Sequence, residues 1–419
     1  MKKALVGLIF IIFTITLSAQ EPEWQWASQA GGSSVDVGES ITIDDDGNSY
    51  VTGIFSETAP FGFYSLTSSG SYDIFVAKMD ANGNWLWATK AGGSGSDYGD
   101  SIAIDGDGNS YVTGSFEETA TFGSYSLTSS GSADIFVAKM DANGNWLWVT
   151  KAGGSSCDDS YGITIDSNGS SYVTGRFGGT ATFGSYSLTS SGSADIFVAK
   201  MDVNGNWLWA TQAGGSGFDF GESIAIDGDG NSYITGNFSA TATFGSYSLT
   251  SSGSADIFVA KMDANGNWLW VTKAGGSSWD DSYGITIDSN GSSYVTGDFS
   301  ATATFGSYSL TSSGSADIFV AKLGNDTSVD NYVISSNIVL TNYPNPFNPL
   351  TTIQFNLKEN ETGILTISNI KGQLIESHQF GSGSHTYDWD ASKQSSGIYL
   401  YKLNVNGKTK AVKKCLLLK

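Results

Sequence analysis

In this 419-residue chain the side chains that could do chemistry are carboxylates and indoles, because the usual catalytic groups are scarce. The two histidines, His378 and His385, both lie near the C-terminus. The long central region therefore has no imidazole for a nucleophile's base or a metal site. Cys157 and Cys415 are the only cysteines, fall in different regions and build no disulfide framework. Both read as small buried or half-buried thiols, and Cys157 has no histidine to activate it. No glycine-rich phosphate loop opens a helix, and no helical pattern exists to supply one. Carboxylates remain. A pair of them can hydrolyse a glycosidic bond when one is held protonated and the other ionised.

The carboxylates recur at fixed spacing. Asp36, Asp97, Asp158, Asp219 and Asp280 each close a G-G-S-x-x-D stretch. This five-fold set could line one rim as weak binding sites, although an aspartate in such a loop more often ties backbone N–H groups. W-x-W pairs begin at Trp24, Trp85, Trp146, Trp207 and Trp268. The indoles of Trp85, Trp146, Trp207 and Trp268 could stack on sugar rings, with packing between neighbouring layers as the preferred reading. The turns D-G-D-G-N at Asp105–Asn109 and Asp227–Asn231, and D-D-D-G-N at Asp44–Asn48, suggest calcium ligands around a glycine. The matching turns at Asp166 and Asp288 read D-S-N-G-S and no distal glutamate follows. Turn formation is favoured over metal binding, and no cofactor is expected. Near-identical copies also argue against an acid/base pair. The copy-specific residues noted are few: Glu117, Glu118, Cys157, Arg176 and Trp279.

Five copies of one 61-residue unit between residues 24 and 323 must position these groups. DIFVAK begins at Asp73, Asp134, Asp195, Asp256 and Asp317, and Y-(V/I)-T-G at Tyr50, Tyr111, Tyr172, Tyr233 and Tyr294. The second copy holds four strand-like runs, Ser101–Asp105, Ser110–Phe116, Asp134–Met140 and Asn145–Lys151. The last two are joined by Asp141-Ala142-Asn143-Gly144, whose Asn-Gly accepts positive φ in a hairpin. Four antiparallel strands per repeat is the pattern of a propeller blade. Glu117–Ala133 is too long for a structureless loop, so an extra ribbon or ordered loop is predicted there.

The chain starts its repeats with a lone fourth strand, Trp24–Ala30, and ends them with a unit lacking one. Pairing Trp24–Ala30 beside Asp317–Leu323 would close a five-bladed ring and remove an open edge. An open solenoid, the alternative, would want atypical capping repeats. Y-V-T-G, G-G-S-x-x-D and DIFVAK resemble the SBBP-type β-propeller repeats, which implies a propeller in an exported bacterial protein and names no activity.

The flanks have other compositions. Lys2 and Lys3, the apolar run Ala4–Leu17 and Ser18-Ala19 read as a signal peptide over 1–19, with no transmembrane anchor left in the mature chain. The propeller is assigned to 20–324, a polar linker to 325–338 and a small Ig-like β-sandwich to 339–419. Gln20–Leu323 carries 9 Lys/Arg against 34 Asp/Glu, a net of −25, whereas Gly324–Lys419 carries 9 against 7, a net of +2. So acidic a propeller repels nucleic acid and anionic lipid.

The end of the chain reads N-Y-P-N-P-F-N-P, then alternating strands separated by turns. Tyr343-Pro344-Asn345-Pro346, Lys371-Gly372-Gln373, Ser396-Gly397-Ile398-Tyr399 and Lys413-Lys414 closely resemble the type A C-terminal sorting domain of type IX secretion substrates. That resemblance implies contact with the type IX machinery and export to the outer-membrane surface or beyond, in a Gram-negative bacterium. Cys415 stands where another apolar residue would be expected.

The expected class is an all-β, non-enzymatic surface module, with multivalent adhesion to a surface glycan or protein preferred. A structural scaffold without a small ligand is the first alternative. A carboxylate-dependent glycoside hydrolase or lyase is the second, marked by an asymmetric pocket with two carboxyls in unlike surroundings.

Overall fold

The computed structural model describes residues 23–324, 340–358, 361–369, 373–406 and 408–419. The leader at 1–19, the linker at 325–338 and Gly372 lie outside these residues. The chain divides into two units, Met1–Leu323 and Gly324–Lys419. Their described secondary structure is entirely strand.

In the first unit each repeat is an antiparallel meander. The second copy runs from an inner strand Asp97–Ile104 through Ser110–Phe122 and Tyr125–Met140 to an outer strand Trp146–Gly154. The first four DIFVAK strands are buried on both faces, as an apolar run without alternation requires. The segment between second and third strands is an ordered two-stranded ribbon in every copy, for example Thr180–Phe183 paired with Tyr186–Thr189. Each of the last four ribbons also hydrogen-bonds the outer strand of the preceding blade, through Gly153 and Gly154 in this case. The approach explains the G-G of the repeat. A Cβ on Gly154 would stand 1.9 Å from the Thr180 carbonyl oxygen, so only glycine lets the strands meet.

Neighbouring blades share cores. Each of the first four DIFVAK strands sends an Ile-x-Val pair into the next blade: Ile74 and Val76, Ile135 and Val137, Ile196 and Val198, Ile257 and Val259. The core of the first blade, around Phe55, Phe61 and Phe75, contains no such pair. The fifth pair, Ile318 and Val320, lies 81% and 75% exposed. Ile41 on the first inner strand is 64% exposed, where its equivalent Ile102 is 5% exposed.

The closing seam expected from the sequence is therefore not made. The last blade has three strands, Asp280–Ile287, Ser293–Phe299 and Asp317–Leu323, and the outer edge of the third carries no partner strand among the described residues. Trp24–Ala30 is not a strand. It nevertheless holds half of the expected site. Trp26 Nε1 donates to the Ala81 carbonyl as Trp87 Nε1 does to Ala142, and Ser28 Oγ donates to the Gly83 carbonyl. The segment thus lies on the first blade as a preceding outer strand would, without reaching the last. Complementary edges supply a reason to close, but the packing angle between blades decides whether five of them complete the turn.

In the second unit a three-stranded sheet (Thr341–Tyr343, Leu350–Leu357, Gly383–Asp390) and a four-stranded one (Leu374–Phe380, Gly363–Asn369, Gly397–Val405, Lys408–Leu417) enclose one core. Ile353, Leu365, Trp389 and Leu403 lie at its centre.

Candidate axial binding site

The five-fold aspartates are not on a rim. Asp97, Asp158, Asp219 and Asp280 are fully buried. Asp219 shows why: one carboxyl oxygen accepts the Gly215 N–H at 2.8 Å and the other the Ser239 N–H at 3.0 Å. The loop-tying use is the one made, and these carboxylates present nothing to a ligand. Asp36, on the uncovered first blade, accepts the Gly32 N–H at 2.7 Å.

Trp146, Trp207 and Trp268 are likewise packing groups, half-buried and set edge-on against Phe122, Phe183 and Phe244 of the ribbons at 5.2 to 5.3 Å. Trp85 meets Phe61 in the same way. The second indole of each of the first four pairs bridges to the next blade by its Nε1 donor, Trp148 to the Val203 carbonyl for instance. In the D-G-D-G-N turns the leading aspartate serves the turn. Asp105 accepts from the N–H of Asp107 and Asn109 and pairs with Lys139 at 3.3 Å.

The asymmetry lies on the inner strands. Each pairs with its neighbour through a register shift at the same place, between Gly38 and Ser40, Gly99 and Ser101, Ser160 and Gly162, Gly221 and Ser223, and Ser282 and Gly284. The residue left over by each bulge is Glu39, Asp100, Tyr161, Glu222 or Tyr283. A bulge re-aims the side chain it carries. All five line one cavity of about 410 Å³, to which every repeat contributes. Sequence reading missed these residues because G-E-S and G-D-S in copies 1, 2 and 4 against S-Y-G in copies 3 and 5 resemble ordinary surface variation. The available signal was the placement of that difference, always three residues after the repeated aspartate.

Two of the cavity's carboxyls, Asp100 and Glu222, hold protons tightly. Burial, with the nearby charges of Asp159, Glu39 and Glu222, pushes Asp100 up to about 8. Burial and Asp281 push Glu222 up to about 7, against the opposing pull of Arg176. Burial also raises the Tyr161 phenol. Near neutral pH such groups offer a mixture of O–H donors and carboxylate acceptors within one enclosure.

Arg176, copy-specific in the sequence, joins this cavity to the rim. Its Nε and Nη2 both reach Asp159 Oδ2, at 2.8 and 2.7 Å. The guanidinium so held lies 4.9 Å from the Phe220 ring centre and 6.0 Å from that of Tyr161. Phe220 in turn stands 6.1 Å from Phe218, which is 51% exposed. Trp279 occupies the equivalent rim position on the last blade and is 52% exposed. Cys157 holds the same position on the third blade, and burial with the Asp159 charge pushes its thiol up to about 11. Glu117 and Glu118 serve the loop beside the second blade, accepting from Ser96 N–H and the Ser94 hydroxyl.

In the second unit the predicted sorting residues converge. Asn345 donates to the Lys414 carbonyl and accepts from the Leu416 N–H, while Phe347 pairs by backbone with Leu416 and Leu418. The segment Tyr343, Pro344, Asn345 and Pro346 is thereby stitched to the last strand, which exposes Lys413 and Lys414 and buries Cys415. Gly397 opens the neighbouring strand, where Tyr399 packs on Trp389 at 5.2 Å.

Residues 341–417 match the Secretion system C-terminal sorting domain, and 25–53, 86–115, 147–176 and 208–237 match the Beta-propeller repeat family. The chain is thus an all-β protein with propeller repeats and a type IX sorting domain, secreted or carried to the outer-membrane surface. It is 26% identical over 346 residues to an uncharacterized WD repeat-containing protein of Acanthamoeba polyphaga mimivirus, covering 66% of this chain and 25% of that one. It is 28% identical over 139 residues to the regulatory protein FlaEY of Caulobacter vibrioides, covering 32% and 14%. The chain therefore spans a quarter or less of the length of these relatives. Among solved structures it is similar to PorZ of Porphyromonas gingivalis, an essential bacterial surface component of the type-IX secretion system. The TM-score is 0.29 at 13% identity, covering 91% of this chain and 45% of PorZ. No helix of the described residues is long and apolar enough to cross a membrane.

Proposed function

We propose that this exported propeller is a non-enzymatic binding module whose ligand, a neutral saccharide, enters the axial cavity. The five repeats are read as five blades about that cavity, and the C-terminal sandwich as an Ig-like module that engages the type IX machinery. One observation carries the reading: the five residues left over by the bulges, Glu39, Asp100, Tyr161, Glu222 and Tyr283, are carboxyls in copies 1, 2 and 4 and phenols in copies 3 and 5, and all line one enclosure. Carboxyls and phenols suit a ligand rich in hydroxyls, because each can donate or accept. The net charge of −25 from Gln20 to Leu323 disfavours an acidic one. A single axial site replaces the five equal sites that repetition suggested.

Glycan-array screening of the mature chain, repeated with Asp100→Asn and Glu222→Gln, tests this. Wild type should retain a set of neutral glycans, and the two variants should lose them with a melting temperature no lower than that of wild type. Retention by both variants would remove the cavity from the reading. A second reading, hydrolysis, is favoured by one specific feature. Asp100 and Glu222 hold their protons toward neutrality, as a general acid must, and Asp159, ion-paired with Arg176, is among the charges that act on Asp100. New reducing ends from a bound polysaccharide would establish it in place of simple binding.

A further inference from the structure

We infer that the ladder Phe218–Phe220–Arg176–Tyr161, with Trp279 on the next blade, is an extended glycan-binding track that leads from the rim into the axial cavity. The inference rests on the saccharide reading above and adds to it a second subsite and a preference for chain length. Four flat groups follow one another at 6.1, 4.9 and 6.0 Å, the first exposed and the last in the cavity wall. A buried structural stack would hide its first ring. Here Phe218 and Trp279 are both about half exposed, at the same position of consecutive blades.

The corresponding residues elsewhere are small or aliphatic: Val35, Ser96 and Cys157. The scaffold therefore does not need an aromatic ring there. Solvent-facing aromatics beside polar groups mark recognition surfaces rather than cores. Arg176 is fixed in orientation, because its Nε and Nη2 both reach Asp159 Oδ2. What it presents is a planar face. A row of flat, weakly polar faces ending in hydroxyl-binding carboxyls matches a chain of sugar rings, whose C–H faces stack and whose edge hydroxyls hydrogen-bond. The acidity of the first unit selects neutral chains over uronic or sulfated ones.

The test is calorimetric titration of the full mature chain with neutral β-linked oligosaccharides, from monosaccharide to hexasaccharide. The variants are Phe218→Ser with Trp279→Ser, and separately Arg176→Ser. Serine stands at both positions in the second copy, as Ser96 and Ser115, so the fold accommodates it. Wild-type affinity should rise with length. The double variant should bind the hexasaccharide about tenfold more weakly, equal to about 1.4 kcal/mol, with monosaccharide affinity unchanged. Arg176→Ser should weaken the hexasaccharide to a similar extent. Unchanged length dependence in both variants overturns the track. In that case, loss of binding in Asp100→Asn would leave the cavity reading standing. Failure of wild type to bind any saccharide overturns both.

Discussion

At the scale of the residue, Asp219 and its counterparts illustrate how a chemically suggestive group can be wholly structural. Its two oxygens accept the N–H groups of Gly215 and Ser239, which would otherwise be buried donors. Burial outweighs those two bonds and pushes the carboxyl up to about 6. Replacing Asp219 by Ala leaves the donors unsatisfied, and each such group costs about 1–3 kcal/mol. We predict that Asp219→Ala lowers unfolding free energy by about 2–4 kcal/mol in urea at pH 7, with saccharide affinity preserved in the folded fraction. A stable variant that had lost binding would return this aspartate to the site. The contrast with Asp100, three residues after Asp97, is instructive. Its side chain is turned to the axis by a bulge, and no hydrogen bond in a loop consumes it.

At the scale of the element, strands, hairpins and ribbons were legible because each has a short-range cause: alternation, an Asn-Gly turn, or a run such as DIFVAK that is buried on both sides. The bulge was not legible. It depends on how two strands of one blade register, and the alternation G-E-S against S-Y-G leaves the hydrophobic pattern of the strand intact. The seam failed for a different reason. Matching edges can be counted in a sequence, whereas the angle at which one blade packs on the next is a sum over whole faces. The Ile-x-Val pairs measure this directly. Ile257 fills the core of the fifth blade, while Ile318, its equivalent one repeat on, is 81% exposed. Ile257→Ala should cost about 2–5 kcal/mol, as buried large-to-small changes do, and Ile318→Ala no more than about 0.5 kcal/mol, as surface changes do. Equal penalties in thermal denaturation would mean that the fifth pair is buried in solution and the seam closed.

At the scale of the whole molecule, the acidity of the propeller acts in two ways that pH and salt can separate. Asp97, Asp100 and Glu222 are pushed up to about 7, 8 and 7, and Asp158 and Asp219 to about 6, in each case chiefly by burial. In the unfolded chain these carboxyls titrate near 4. Between about pH 4 and 8 the folded state therefore binds more protons than the unfolded state, and stability falls as pH rises across that window. Turn aspartates such as Asp105, Asp227 and Asp263, lowered by hydrogen bonds from neighbouring asparagines against the cost of burial, have the opposite effect, but only below about pH 4. Melting temperature should therefore be higher at pH 5 than at pH 8. General repulsion within a unit of net charge −25 predicts the same direction. Salt distinguishes the two, because at 1 M the Debye length is about 3 Å and surface repulsion is screened while buried groups are screened much less. A difference between pH 5 and pH 8 that persists in 1 M salt and shrinks in an Asp100→Asn, Glu222→Gln variant belongs to the cavity. One that vanishes in salt belongs to the surface, and would show that the axial carboxyls are better hydrated than their enclosure implies.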